Sequence, residues 1–425
     1  MSAPRIGFAG MTHLGINSLA AAAGRHFSVL GFDSNADLVD QLRQFKMPVA
    51  EPGLYDLLVE NAEKLQFSAD PADLKRCDIV YISADVPTDD QGRSDLSPIR
   101  SLIDQVTAHL NDDAVLVILC QVPPGFTRSL TRIPRQRLIY QVETLIFGRA
   151  VERAMHPERF IIGCTDPSLP LPACYQQFLK SFSCPILPMR YESAELAKIS
   201  INFCLVASVT VANVLAEVSE AIGADWSEII PALKLDKRIG NFAYLTPGLG
   251  ISGGNLERDL RTVINIGKSN GTDVRVVEAW IDNSLYRKDW LWRVLSEHVL
   301  TADPKARIAV LGLAYKENTH STKNSPSLAL LAHLEGHDVS VHDPVVSSSV
   351  VPFAKGSSDP LECIADSDAL VIATPWPQYK NFKIEDLTRL MAGRTIIDPF
   401  RLINGYEAAS AGFAYYTLGM PPALP

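Results

Sequence analysis

No C-x-x-C pair occurs among the seven cysteines, which are odd in number and scattered at 77, 120, 164, 174, 184, 204 and 363. Neither a disulfide framework nor a zinc site is indicated, and a reducing cytoplasm suits such a chain. A long basic run is also missing. The 39 Lys and Arg stand against 48 Asp and Glu, a formal charge of −9, which argues against nucleic acid and anionic membrane surfaces as main partners. Any anionic ligand must then be held by local cations or backbone N–H groups. No secretory leader is expected, since Met1-Ser-Ala-Pro-Arg5 passes straight into a strand-like run, and no apolar run reads as long enough to span a membrane. The expectation is a soluble cytoplasmic protein that binds neither nucleic acid nor membrane. What the chain does have is length: 425 residues, 47% hydrophobic and 20% charged, enough for two or three domains around large cores.

A short apolar run at 5–10 is followed by an Ala-rich helical segment at 15–24 and a second strand at 27–32 that ends at Asp33, a β-α-β unit. Apolar runs at 78–82, 114–119 and 160–163 extend it to a parallel sheet. Residues 192–222 differ: they contain neither Gly nor Pro, are rich in Ala, Val and Leu, and close at Gly223, which predicts one long helix despite many β-branched residues. A helix of that length and apolarity is expected to bury itself against a partner. A second α/β unit begins at Arg307-Ile-Ala-Val-Leu-Gly312, with a helix near 325–335 and strands at 338–342 and 369–374. The predicted division is 1–190, a nucleotide-binding domain; 191–300, a helical dimerisation domain; and 301–425, a second domain of the first kind.

After the first strand comes Gly10-Met11-Thr12-His13-Leu14-Gly15, a G-x-G-x-x-G pattern whose second glycine has become Thr12. The first glycine permits the tight turn and the third lets helix and strand approach, while the second normally opens the backbone to a pyrophosphate. Thr12 either crowds that approach or offers its hydroxyl in exchange. Asp33 lies 18 residues beyond Gly15, close to the spacing of an acid that bonds the adenosine ribose and repels a 2′-phosphate, so NAD is favoured over NADP. The bland alternative is a glycine-capped β-α turn with a solvated aspartate.

Lys198 is the only Lys or Arg between Tyr191 and Leu233, and Asn202 follows four residues on, which places both on one helix face. A lone amine beside a carboxamide at the mouth of an apolar helix is poised for desolvation, which suits it to proton transfer or oxyanion stabilisation. A lysine snorkelling at a helix end has the same spacing.

The stretch Gly248-Leu-Gly250-Ile-Ser252-Gly253-Gly254-Asn255-Leu-Glu-Arg258-Asp259 resembles the active-site loop of the UDP-glucose/GDP-mannose dehydrogenase family, G-F-G-F-G-G-S-C-x-P-K-D. Glu195-x-x-Lys198-x-x-x-Asn202 resembles the family's E-x-x-K-x-x-x-N helix. Pro48-x-x-Glu51-Pro52-Gly53-Leu54, Val86-Pro87-Thr88, Pro123-x-Gly125, Pro157-x-Arg159, Arg238-Ile-Gly240-Asn241, Gly312-Leu-Ala-Tyr315-Lys316, Ser325-Pro326 and Asp343-Pro344 fall in family order, so the resemblance covers nearly the whole chain. It implies two Rossmann-like doubly wound α/β parallel-sheet domains joined by a long central helix, NAD as cofactor, a nucleotide-sugar substrate and a homodimer. It further implies that Lys198 and Asn202 flank the carbon being oxidised and that Asp259, with lysine and a water, takes the alcohol proton. Gly10, Thr12, His13, Leu14, Gly15, Asp33, Val86, Pro87, Thr88, Gln121 and Lys323 are implied to line the cofactor. Glu143, Thr144, Leu145, Tyr244, Gly250, Tyr315 and Lys316 are implied at the substrate. Arg238 is expected to reach a partner subunit's site, and Arg401 stands one residue out of register with a family arginine.

Where the family has its nucleophilic cysteine, this chain has Asn255. Gln121 replaces a threonine implicated in handling water, and Glu143 keeps only part of its family motif. Cys204 is expected to be a core thiol turned away from the Lys198 face. The expected activity is oxidation of a sugar hydroxyl, at C6 or at a secondary carbon, that stops after one hydride. The alternatives are a four-electron enzyme working through a water adduct with Glu143 activating the water, and a non-catalytic nucleotide-sugar sensor.

Overall fold

The computed structural model describes residues 3–87, 89 and 94–425. The chain forms two compact units, Met1–Ile201 and Asn202–Pro425. In the first, eight strands make one sheet: β1 (Ile6–Ala9), β2 (Val29–Phe32), β3 (Leu65–Ser68), β4 (Ile79–Ile82), β5 (Val115–Ile118), β6 (Leu138–Gln141), β7 (Phe160–Cys164) and β8 (Ile186–Arg190), in the order β3-β2-β1-β4-β5-β6-β7-β8. Every residue of β1, β2, β4, β5 and β6 is buried. A parallel strand covered on both faces must be apolar throughout, which is why these strands read as continuous runs rather than alternations. The expected runs at 5–10, 27–32, 78–82 and 114–119 contain the strands with their ends trimmed.

One pairing departs from the expected parallel sheet. β7 runs antiparallel to β6, with Tyr140 opposite Gly163, and only β8 is parallel to β7. The connection over residues 142–159 holds a single helix of six residues, Ala150–Met155, too short for a full crossover.

In the second unit β9 (Ile308–Leu311), β10 (Val339–His342), β11 (Lys355–Gly356), β12 (Ala369–Ile372), β13 (Thr395–Ile397) and β14 (Ala414–Tyr416) form an all-parallel sheet in the order β11-β10-β9-β12-β13-β14. Both sheets reverse their strand order once, between β1 and β4 and between β9 and β12. In open α/β sheets ligands bind beyond the carboxyl ends of the strands at such points. The two units build the turn there alike. A Cβ on Gly10 would lie 2.8 Å from Ala84 N, and one on Gly312 would lie 2.7 Å from Thr374 N, so each sheet has a glycine where neighbouring strand ends converge.

Helices lead up to the second sheet. The longest, Tyr191–Ile222, is followed by Trp226–Leu235, Asn255–Ser269 and Arg275–Lys288. The start of the long helix is fixed to the first unit: Glu195 is fully buried and accepts from Gly125 N at 2.6 Å and Thr127 N at 2.8 Å, while Tyr191 Oη donates to Leu138 O at 2.7 Å. Burial raises the Glu195 carboxyl pKa, and its backbone donors oppose that rise. The expectation about membrane-length runs needs correction here. The 18 residues 199–216 carry no charge, and the long helix is apolar and long enough to cross a membrane by length and composition. Its scattered Ser, Thr and Asn hide that length from a search for an unbroken apolar run.

Candidate active site

The first turn after β1 is built for close approach. Gly10 has φ +96°, a conformation side chains rarely adopt, and a Cβ on Gly15 would sit 2.0 Å from Gly10 O. These are the first and third glycines of the fingerprint, in their expected roles. Asp33, at the end of β2, accepts from Met11 N at 2.9 Å and Asn35 N at 2.9 Å, which aims its carboxylate at the turn. Thr12 resolves the question that the sequence raised: its Oγ1 lies 3.3 Å from Ser83 O and accepts from Asp85 N at 3.1 Å, so the side chain is tied to the loop after β4. His13 stacks on Phe147, with centroids 4.2 Å apart, and its Nε2 lies 2.7 Å from Glu51 Oε1. The Leu14 side chain belongs to the core, so only its backbone is left for a ligand. The glycines and Asp33 therefore fit a dinucleotide. Val86 is half-buried, Pro87 O accepts from Asp95 N at 2.9 Å, and Thr88 lies outside the described residues. Gln121 is half-buried just beyond β5.

Two polar pairs occupy successive turns of the long helix. In the first unit, Lys198 Nζ stands 3.4 Å from Glu143 Oε2, both side chains largely buried, and Glu143 also accepts from Leu145 N. Glu143-Thr144-Leu145 is thereby a constrained turn beside the lysine. In the second unit, Asn202 Nδ2 donates to Asp259 Oδ2 at 2.5 Å, and Asp259 is only 2% exposed. Arg258 Nε approaches the other Asp259 oxygen at 3.5 Å. A buried carboxylate held in this way is fixed in orientation.

The glycine loop preceding Asp259 is pinned along its length. Gly248 N donates to Asn213 Oδ1 and Ile251 N to Ser284 Oγ, each at 2.7 Å, while Gly253 N donates to Lys323 O at 3.0 Å. Gly250, with φ +83°, leaves room for Ser284 O, 2.3 Å from where a Cβ would be. Tyr315 lies against Gly253 and Lys323 against Gly254, with Lys316 Nζ 5.8 Å from the Tyr315 ring centre. Asn324 Nδ2 spans Gly253 O at 2.9 Å and Glu257 Oε2 at 2.8 Å. Asn255 opens the Asn255–Ser269 helix and is exposed. No cysteine lies in this loop. Burial pushes Cys77, Cys120 and Cys363 up to about 12, which leaves them protonated and inert. Cys204 corrects an expectation: it is exposed on the long helix and is no core thiol.

Three predicted substrate residues lie elsewhere in the second unit. Arg238 is highly exposed and pairs with Asp236 at 2.6 Å; Tyr244 is also exposed. Arg401 spends its guanidinium on Asp225 at 2.8 and 3.0 Å, Ser227 Oγ at 2.9 Å and Leu418 O at 3.0 Å, a clamp within its own unit.

Two acids carry more of the site's structure than their motifs indicate. Glu51 accepts from Gly148 N at 2.8 Å and Ala150 N at 3.3 Å as well as meeting His13, so one buried carboxylate ties the helix start to a loop 97 positions beyond Glu51. Asp343, beyond β10, mirrors Asp33: it accepts from Leu313, Ala314, Val345 and Val346 N–H groups at 2.7–3.0 Å. Burial acts to raise its carboxyl pKa, yet the four N–H groups prevail and hold it below the usual value. The only sequence signal for either was its place in an acid-proline or proline-glycine motif.

Models of the UDP-glucose/GDP-mannose dehydrogenase family match in chain order: the NAD binding domain over residues 4–179, the central domain over 192–284 and the UDP binding domain over 309–405. UDP-glucose 6-dehydrogenase TuaD of Bacillus subtilis (strain 168) is 28% identical, with 98% of this chain and 93% of that one aligned. A UDP-glucose 6-dehydrogenase of Pseudomonas aeruginosa is also 28% identical, over 97% of each chain. Among solved structures, a UDP-glucose dehydrogenase from Pyrobaculum islandicum superposes with a TM-score of 0.82 at 24% identity, covering 93% of this chain and 94% of that one. A UDP-D-ManNAc dehydrogenase from Pyrococcus horikoshii gives 0.84 at 23% identity, covering 98% and 99%; both are likenesses of fold. The chain belongs to the UDP-glucose/GDP-mannose dehydrogenase family and is an NAD-dependent dehydrogenase of nucleotide sugars.

Proposed function

We propose that this enzyme removes one hydride from a hydroxyl-bearing carbon of its nucleotide sugar and stops at the aldehyde or ketone. The observation that carries this is the exposed Asn255 in a loop without cysteine, alongside the Lys198–Glu143 and Asn202–Asp259 pairs. Bound NAD supplies the hydride acceptor. Asp259 is assigned as the acceptor of the hydroxyl proton, with Asn202 fixing its orientation. Lys198, steadied by Glu143, is assigned to stabilise the oxyanion that develops as the proton leaves. A second oxidation through a covalent adduct requires a nucleophile that a carboxamide is not. If the carbon bears a secondary alcohol, the ketone has no further hydride to lose, and the cysteine is dispensable. Tyr315 and Lys316, in the stretch matched by the UDP binding domain model, are assigned to the nucleotide end. A panel of UDP-, GDP-, CDP- and TDP-sugars, followed by the absorbance of reduced nicotinamide, tests the activity. Turnover with at least one is expected; saturable binding without any turnover would instead support a sensor.

A homodimer belongs to the same proposal. Val211, Val214, Leu215, Val218 and Ile222 form an exposed stripe at helical spacing on the long helix, and Phe242 is 95% exposed. A second copy of the chain is assigned to cover them, which carries the exposed Arg238 region towards the partner's substrate. Sedimentation at micromolar concentration is expected to show a dimer or a multiple of one, with Leu215→Asp giving an inactive monomer. An active monomer would contradict this, and a species soluble only in detergent would place the stripe in lipid.

A further inference from the structure

The first residue of the His13–Gly24 helix carries a side chain whose contacts the glycine pattern does not explain. The His13 imidazole is held on two sides. Its Nε2 lies 2.7 Å from Glu51 Oε1, and its ring stacks on Phe147 with centroids 4.2 Å apart. Glu51 is the more deeply buried partner, its side chain 1% exposed against 10% for His13, and it also accepts from Gly148 N at 2.8 Å and Ala150 N at 3.3 Å. An ionised carboxyl only accepts, so Nε2 carries a proton and points it at Glu51. The other ring nitrogen, Nδ1, makes no hydrogen bond among the described residues. A clamped and largely buried ring thus keeps one polar atom unused at the start of the helix.

We propose that His13 binds NAD as an imidazolium: a proton from solvent enters at Nδ1 as the cofactor's pyrophosphate arrives, and Nδ1–H donates to a phosphate oxygen while Nε2–H stays on Glu51. The proposal rests on the assignment of this turn to NAD, within the stretch matched by the NAD binding domain model. The helix start already offers backbone N–H groups and the positive end of the helix dipole, which opposes a second positive charge until an anion is bound. A neutral ring would instead turn an Nδ1 lone pair on the phosphate. Proton and anion therefore favour one another, and histidine is the side chain for which that exchange falls near neutral pH. Among the described residues, the charged groups around the ring are Glu51 and, from the loop after β4, Asp85, near enough for the ring's charge to act on it. The loop that carries Phe147 adds Arg149, which is paired with Glu152 at 2.6 Å. Because binding takes up a proton, affinity for the cofactor falls as pH rises.

The test is the affinity for NADH, followed by nicotinamide fluorescence from about pH 6 to about pH 8.5, with the full chain as wild type, His13→Gln and Glu51→Gln. Wild-type affinity is expected to fall roughly tenfold across that range, as one charge-assisted hydrogen bond is lost. His13→Gln keeps a donor but cannot titrate, so it is expected to bind with one weaker affinity throughout and to meet the wild-type curve at the alkaline end. Glu51→Gln removes the charge facing the ring, and its rise in affinity is expected only at lower pH. Calorimetry in two buffers of different ionisation enthalpy is expected to show proton uptake on binding by the wild type that His13→Gln lacks. Melting temperatures identify a folding defect in either variant, and the wild-type proton uptake is read without any variant. Parallel pH profiles of wild type and His13→Gln, or wild-type binding without proton uptake, would leave His13 a packing partner of Phe147 and overturn the proposal while the cofactor stays in place. No NADH binding by the wild type at any pH would overturn it together with the assignment of the turn.

Discussion

Asp259→Asn and Lys198→Ala are each expected to lower turnover by about 10²–10⁴ while leaving NADH affinity nearly intact, the range typical of a lost proton-transfer group. Asp259→Asn is the cleaner of the two. The substitution keeps the shape and the oxygen that accepts from Asn202 at 2.5 Å, and removes only the charge and the capacity to take a proton. Lys198→Ala leaves Glu143 without the amine 3.4 Å away, so it is best read beside Lys198→Arg, which restores a cation but not the point charge on a flexible stem. Steady-state rates with NADH affinity measured in parallel separate the two sites. Near-normal turnover in either variant would remove that residue from the catalytic assignment.

Gly15→Ala is expected to destroy the cofactor turn. A Cβ there would lie 2.0 Å from Gly10 O and 2.9 Å from Ser83 Oγ, and neither a backbone carbonyl nor a buried hydroxyl on a strand end can retreat cheaply. Overpacking of this kind costs about 1–3 kcal/mol or more, and the shift it forces falls on the N–H groups that open the His13–Gly24 helix, the groups proposed to hold the cofactor. Loss of NADH binding by more than tenfold is expected, with a lowered melting temperature. Gly248→Ala is the matched control, because nothing lies within 4 Å of its Cβ position and NADH binding should be unchanged. Wild-type NADH affinity in Gly15→Ala would show that the cofactor does not use this turn.

The two sheets, the long helix and the fingerprint glycines were legible because each depends on local pattern. Continuous apolar runs betray strands buried on both faces, and a stretch of about thirty residues without Gly or Pro has no plausible form but a helix. Asp33 was legible for the same reason, since its partners Met11 and Asn35 lie in one β-α-β unit. What escaped were contacts between distant positions. The role of Glu51 depends on Gly148, and that of the Thr12 hydroxyl on the backbone of Ser83 and Asp85; neither pattern has a period. The antiparallel turn of β7 escaped because a buried strand looks the same in either direction. Cys204 was misjudged because an apolar helix was assumed to be buried all round, whereas this one leaves an exposed stripe.

The stoichiometry of oxidation tests the central claim most directly. With the sugar limiting and NAD in excess, the reaction is run to completion, NADH is counted and the product weighed. One NADH per sugar and a loss of about 2 Da, with the product trapped by a carbonyl reagent, is the expected result for a single hydride transfer. Two NADH per sugar and a gain of about 14 Da would show that the enzyme completes the second oxidation without a cysteine, and would contradict the account.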